Sequence, residues 1–382
     1  MPTIITRGGL SAKGFGYTGN KPPSFNGFSN FATPFGFHSF TPAVVALSPT
    51  NAIVIAGYDA SFAGQTTMSL DGGVTWSTPI SFAAASCSIQ AIGISLTNAW
   101  TIFFVANDGF IYHTRSTDNG VSWSTPTRFS VSPPATSNAI FVVNVATNPT
   151  TGTMVAIGNS GAYPSSYYPY YVYSTDHGAT WSTPANMGSA GATPISLLYP
   201  IIPIPNSSAF VATATNSSSV YALATTSSDG TTWTTPTAMS GTSPGQTVAG
   251  LCVDNNGTVW SIGNNAGFSI NSSTNNGATW TTTNVLSVLG TGYNIVCNKL
   301  NQLVVVGVSY STYDVVYSLY NGSTWNPAVS ITNLRTVSYY NNTSPVVLPN
   351  TRTIFHPPTG RFVIIVNVYN GTYSGLGVSI SN

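Results

Sequence analysis

The residues able to do acid–base, nucleophilic or metal chemistry are few, and most have another use. All eight acids are aspartates, at 59, 71, 108, 118, 176, 229, 254 and 314, and the chain has no glutamate. Hydrolysis of a glycoside needs two carboxylates flanking one bond. Asp71, Asp118, Asp176 and Asp229 recur inside one repeated pattern and belong to it. Asp59 (Gly-Tyr-Asp-Ala) and Asp108 (Ala-Asn-Asp-Gly) follow corresponding apolar runs and form the one candidate pair for a shared face. Aspartates in such settings commonly close Asx turns, and that reading is preferred. His38, His113, His177 and His356 lack metal-ligand spacing. Cys87, Cys252 and Cys297 sit in apolar runs and read as small buried hydrophobes. No glycine-rich phosphate loop follows a strand and opens a helix. The expectation is no catalytic residue, no metal, no cofactor and no enzymatic activity.

The elements that position these residues follow from composition. Only 17 of 382 residues are charged, and the net charge is +1. A basic face that releases counterions from nucleic acid has nothing to be built from. The exposed faces of a helical bundle need Glu, Lys and Arg, which are scarce here. Hydrophobic residues at 42% support a core, and 36 Gly with 25 Pro suit turns and strands. The longest apolar stretch, 193–205, is interrupted by Pro194, Pro200 and Pro203, so no membrane insertion is expected. The first residues lack the apolar core of a secretory signal.

Internal repetition dominates the chain. Three segments read Ser69-Leu-Asp71-Gly-Gly73-Val-Thr-Trp76, Ser116-Thr-Asp118-Asn-Gly120-Val-Ser-Trp123 and Ser174-Thr-Asp176-His-Gly178-Ala-Thr-Trp181. A fourth is one residue shorter, Ser227-Ser-Asp229-Gly230-Thr-Thr-Trp233. The fifth is Ser273-Thr-Asn275-Asn-Gly277-Ala-Thr-Trp280, and the sixth is eroded to Tyr320-Asn321-Gly322-Ser-Thr-Trp325. The Trp spacings are 47, 58, 52, 47 and 45. An Asp or Asn side chain accepts from backbone N–H groups just ahead of it and closes a tight turn. The following Gly takes positive φ without steric cost. The Trp supplies a large apolar plate for packing.

Ser-x-Asp-x-Gly-x-Thr-Trp resembles the Asp-box, or BNR repeat, of sialidase-like β-propellers. The resemblance implies an all-β propeller of four-stranded antiparallel blades, with each box between the third and fourth strands and structural in role. In that family, catalysis uses three arginines, a Tyr–Glu couple and an Asp, with an Arg-Ile-Pro segment near the first blade. Here there is no glutamate and no Arg-Ile-Pro. The arginines at 7, 115, 128, 335, 352 and 361 sit in no motif of that family.

Seven β-branched, turn-bounded runs mark one strand per blade: Ala52-Ile-Val-Ile-Ala, Trp100-Thr-Ile-Phe-Phe-Val, Thr153-Met-Val-Ala-Ile, Ala209-Phe-Val-Ala-Thr, Val259-Trp-Ser-Ile, Leu303-Val-Val-Val and Arg361-Phe-Val-Ile-Ile-Val. Seven blades are therefore expected, with six as the competing count. Asn30-Phe31-Ala-Thr33-Pro34 aligns with Thr75-Trp76-Ser-Thr78-Pro79, so residues 29–38 are expected to supply the last blade's fourth strand and close the ring.

Residues 1–28 form a separate arm ahead of the propeller at 29–382. The arm carries Arg7, Lys13 and Lys21 with no acid. Its Ile4-Ile-Thr-Arg-Gly-Gly-Leu-Ser-Ala-Lys-Gly-Phe-Gly16 resembles the leaders of bacteriophage and large-virus structural proteins. That resemblance implies an anchor for other virion proteins, a position on the virion surface and many copies per assembly. Tyr163, Tyr167, Tyr168 and Tyr170 fall in the blade with the longest spacing and are candidate contacts to a host-surface glycan. The readings carried forward are a non-enzymatic virion component, a free extracellular lectin-like propeller and an inactive sialidase-like glycosidase.

Overall fold

The computed structural model describes residues 44–381 apart from 59–62, 84–86, 130–139, 161–167, 188–194, 217–221, 240–246, 265–267, 287–289, 299, 310–313, 321, 336–351 and 370–373. Every regular element among them is a strand. Blade one holds β1 (Val44–Leu47), β2 (Ile53–Tyr58), β3 (Gly64–Ser69) and β4 (Ile80–Ala83). Blade two holds β5 (Ser88–Ile94), β6 (Trp100–Val105), β7 (Ile111–Ser116) and β8 (Thr127–Arg128). Blade three holds β9 (Ile140–Thr147), β10 (Met154–Ser160), β11 (Tyr168–Ser174) and β12 (Ala185–Asn186). Blade four holds β13 (Ile195–Pro203), β14 (Phe210–Asn216), β15 (Ala222–Ser227) and β16 (Thr237–Ala238). Blade five holds β17 (Thr247–Val253), β18 (Val259–Asn264), β19 (Phe268–Ser273) and β20 (Thr281–Leu286). Blade six holds β21 (Gly290–Cys297), β22 (Leu303–Ser309), β23 (Asp314–Tyr320) and β24 (Val329–Arg335). Blade seven shows β25 (Arg352–His356), β26 (Arg361–Tyr369) and β27 (Ser374–Ile380).

Each sheet is an antiparallel meander with its strands in chain order. Among the described residues the count is seven sheets. Residues 29–38 lie outside the described residues, as does the arm at 1–28 with Arg7, Lys13 and Lys21.

The seven apolar runs of the sequence are the second strands, and their lack of polar alternation has a simple cause. Successive side chains point to opposite faces of a sheet, and both faces of these blades are covered. Ala52, Val54 and Ala56 pack toward blade two in one cluster, while Ile53 and Ile55 meet Val363 and Ile365 of blade seven in another. Leu303 and Val305 likewise face blade five, and Val304 and Val306 face blade seven. Seven apolar clusters fill the seven interfaces, including that between blades seven and one. The ring is closed by this packing. A buried imidazole reinforces the junction: His356 of β25 reaches the Asn51 carbonyl with Nε2 at 2.9 Å and Thr359 Oγ1 with Nδ1 at 2.8 Å.

The first strand of each blade is its inner edge, facing the ring's axis. An edge tolerates proline, which explains how the proline-interrupted stretch forms β13 with Pro200 and Pro203. Each box turn lies between a third and a fourth strand, as Ser69–Trp76 does between β3 and β4.

Candidate functional site

The box aspartates are fully engaged in their own turns. Asp71 Oδ1 accepts from Ser69 Oγ at 2.8 Å and from the amides of Val74 and Thr75 at 3.0 and 2.9 Å. Its Oδ2 accepts from Thr75 Oγ1 at 2.6 Å, and Ser69 Oγ accepts from the Gly73 amide at 2.8 Å. Asp118 and Asp176 repeat this arrangement. In the shorter turn, Asp229 accepts from the amides of Thr231 and Thr232. Asn275 reproduces the geometry without charge, its Nδ2 donating to Thr279 Oγ1 at 2.8 Å. Asn321 lies outside the described residues; Gly322 has φ +98° with no described atom within 4 Å of a Cβ, and Trp325 bridges Tyr320.

Hydrogen bonding decides the acidity of these groups. Desolvation pushes Asp71, Asp176 and Asp229 up, but hydroxyl and amide donors outweigh it and hold each at about 2. Asp118 also lies at about 2, chiefly through Ser122. Such carboxylates stay ionised and occupied, and none is a general acid at neutral pH.

In blades one to five the box glycines and indoles pack against the preceding blade. A Cβ on Gly230 (φ +83°) would meet Phe210 at 2.8 Å and Val155 of blade three at 2.9 Å. On Gly277 it would meet Val211 of blade four at 2.9 Å, and on Gly178 it would run into Thr101 of blade two. Gly120 approaches Thr66 of blade one, while Gly73 keeps the positive φ. Trp123 lies tilted against Phe82 (5.4 Å), Trp181 meets Phe103 edge-on (5.0 Å), and Trp233 lies against Tyr171 (6.0 Å), each partner belonging to the preceding blade. Trp280 joins the cluster of blades four and five, and Trp76 that of blades seven and one. The indoles of Trp76, Trp123 and Trp280 also donate to the carbonyls of Gly73, Gly120 and Gly277.

The other titratable candidates do not converge. Asp108 accepts from the Phe110 amide at 3.1 Å and the Tyr112 hydroxyl at 2.8 Å, which lower its pKa in an exposed turn. Asp59, the other half of the pair, lies outside the described residues. Arg128 sits over the Phe110 ring, 3.2 Å from its centroid, and Arg115 Nε donates to the His177 carbonyl at 3.1 Å. Both arginines are on outer strands. His177 is half-buried in its turn. The thiols of Cys252 and Cys297 are pushed up by desolvation, Cys297 to about 12, so neither is a thiolate nucleophile at neutral pH. Among the described residues no three His, Cys or Asp side chains gather as metal ligands.

The tyrosine-rich segment divides. Tyr163 and Tyr167 lie outside the described residues, and Tyr168 opens β11, paired with Ser160. Tyr170 corrects the expectation of a ligand-contacting loop. It is 7% exposed and packs with Phe103, Ile111 and Val172, and burial raises its pKa. The alternation of a strand, not a loop, places it there.

The sequence reading missed the axial cavity. A cavity of about 170 Å³ is lined from all seven blades by the innermost strands, with Val45, Gln90, Asn144, Ile202, Leu251, Asn294 and Ile354 among its walls. Thr353 also lines it and is buried, with its Oγ1 unpartnered among the described residues. No charged side chain among the described residues lines it. β-Bulges interrupt β5, β9, β13, β17 and β21 where they pass this region. The only signal in the sequence was a Gln or Asn inside otherwise apolar inner runs.

Comparison with known proteins agrees with this architecture. Residues 92–339 match the family described as a BNR repeat-like domain. A Hadza microbial sialidase is similar in structure at TM-score 0.51 and 14% identity, over 84% of this chain and 74% of that one. A leech intramolecular trans-sialidase is similar at TM-score 0.50 and 12% identity, over 95% of this chain and 70% of that one. At such identities the likeness is one of fold. No curated protein matches the sequence.

Proposed function

Given that the chain belongs to the BNR repeat-like domain family, we propose that it is a non-enzymatic member, displayed on a virus particle and contacting host-surface glycans. The observation that carries the non-enzymatic reading is the axial cavity, whose lining among the described residues holds no charge. Sialic acid carries a carboxylate, and a cavity that receives it without a cation leaves that charge unpaired at a large desolvation cost. The glutamate of a Tyr–Glu couple is absent from the whole chain. Four of the eight aspartates are spent on box turns.

Display on a particle is supported by the arm at 1–28, whose Arg7, Lys13 and Lys21 stand among glycines without an acid. A basic, glycine-rich segment suits docking to another virion protein. Deleting residues 1–28 tests this. The truncated chain is expected to fold and to be missing from purified particles; normal incorporation would end the anchoring reading and favour a free lectin-like propeller.

A further inference from the structure

We infer that the axial cavity is a binding site for a small neutral polyhydroxyl molecule, no larger than a single sugar ring. The inference rests on the non-enzymatic glycan-contacting reading and names its site and ligand class. Four polar side chains from four blades meet at the cavity: Gln90, Asn144, Asn294 and Thr353. Among the described residues, much of their hydrogen-bonding capacity is unused. Thr353 is 6% exposed, and its Oγ1 has no partner among the described residues. Gln90 Nε2 donates to the Ser88 carbonyl and hydroxyl at 3.3 and 3.0 Å, leaving Oε1 for a ligand. Asn144 Oδ1 accepts from the Val145 amide at 2.8 Å, leaving Nδ2 to donate. A buried hydroxyl without a partner costs roughly 1–3 kcal/mol unless water or a ligand satisfies it.

The chemistry of the lining selects the ligand. A carboxamide places a donor beside an acceptor, and each hydroxyl of a polyol is both. Adjacent hydroxyls therefore match adjacent amide groups. A charged ligand would enter without a counter-charge, which the desolvation cost disfavours. Aliphatic walls such as Ile92 and Ile202 suit the carbon face of a ring. At about 170 Å³ the cavity slightly exceeds the roughly 150 Å³ that admits a benzene ring. The bulges add an independent sign. A bulged residue is left out of the ladder, so its backbone groups are free, and such irregularities concentrate at sites. Gln90 and Ala249 are residues skipped in this way, and both line the cavity.

The test is titration of the full chain, by ligand-observed NMR and calorimetry, with glycerol, myo-inositol, D-galactose and N-acetylgalactosamine, and with D-galacturonic acid as the charged control of matching size. At least one neutral probe is expected to saturate, with the charged control about tenfold weaker or more. Asn294→Leu and the isosteric Thr353→Val are each expected to weaken binding about fivefold without lowering the urea midpoint. Failure of all four neutral probes to saturate, or binding unchanged in both variants, would overturn the inference and leave the non-enzymatic reading standing. Saturable binding accompanied by release of sugar from a galactoside would support the site and end the non-enzymatic reading.

Discussion

Replacing Gly230 with alanine separates two jobs that a box glycine performs. The residue has φ +83°, where a Cβ costs about 1–2 kcal/mol. The unfolded chain loses freedom on gaining a side chain, which offsets about 0.4–1 kcal/mol. Gly257 has nearly the same φ, +81°, but nothing within 4 Å of a Cβ among the described residues. Gly257→Ala therefore reports the backbone effect alone. Gly230→Ala adds a methyl within 2.9 Å of Phe210 and Val155, both 0% exposed and unable to retreat into solvent. Overpacking of this kind costs about 1–3 kcal/mol. The difference between the two variants, read as urea midpoints with unchanged slope and followed by tryptophan fluorescence, should be about 1–3 kcal/mol. Phe210→Leu, which shortens the ring that blocks the methyl, should narrow that gap when combined with Gly230→Ala. Equal destabilisation of the two single variants would refute the claim that boxes clamp neighbouring blades.

Acid should reveal the box carboxylates. Asp71, Asp118, Asp176 and Asp229 lie at about 2, below the usual 3.8, because they accept hydrogen bonds in the folded state. Their contribution is present above pH 3.8 and is lost as pH falls through about 2, so the urea midpoint should be level above about pH 4 and decline below it. Asp176→Asn, copying the arrangement that Asn275 already makes, should lessen that decline; an identical pH profile would contradict the assignment. At the ring junction, His356→Phe leaves the Asn51 carbonyl without the His356 Nε2 donor and should cost about 1–3 kcal/mol in the same assay. A change within error would show that the imidazole does not hold blades one and seven together.

The parts of this molecule that repeat were legible in the sequence, and those that are assembled from many strands were not. Second strands announced themselves because both faces are buried, which turns alternation into unbroken runs such as Ile53-Val-Ile. Boxes were legible because one Asp, one Gly and one Trp each have a local mechanical duty. Tyr170 was misread because an aromatic-rich insertion resembles a recognition loop until β11 pairs with β10 and turns its ring into the core. The cavity was invisible because Gln90, Asn144, Asn294 and Thr353 share no spacing, and only ring closure and the bulges bring them to one axis.

Turnover of a fluorogenic sialoside tests the central functional claim most directly. With no glutamate in the chain and an uncharged axial cavity among the described residues, the purified protein should release the fluorophore at the buffer's own rate from pH 4 to 8. Saturable release that scales with protein concentration would contradict the account.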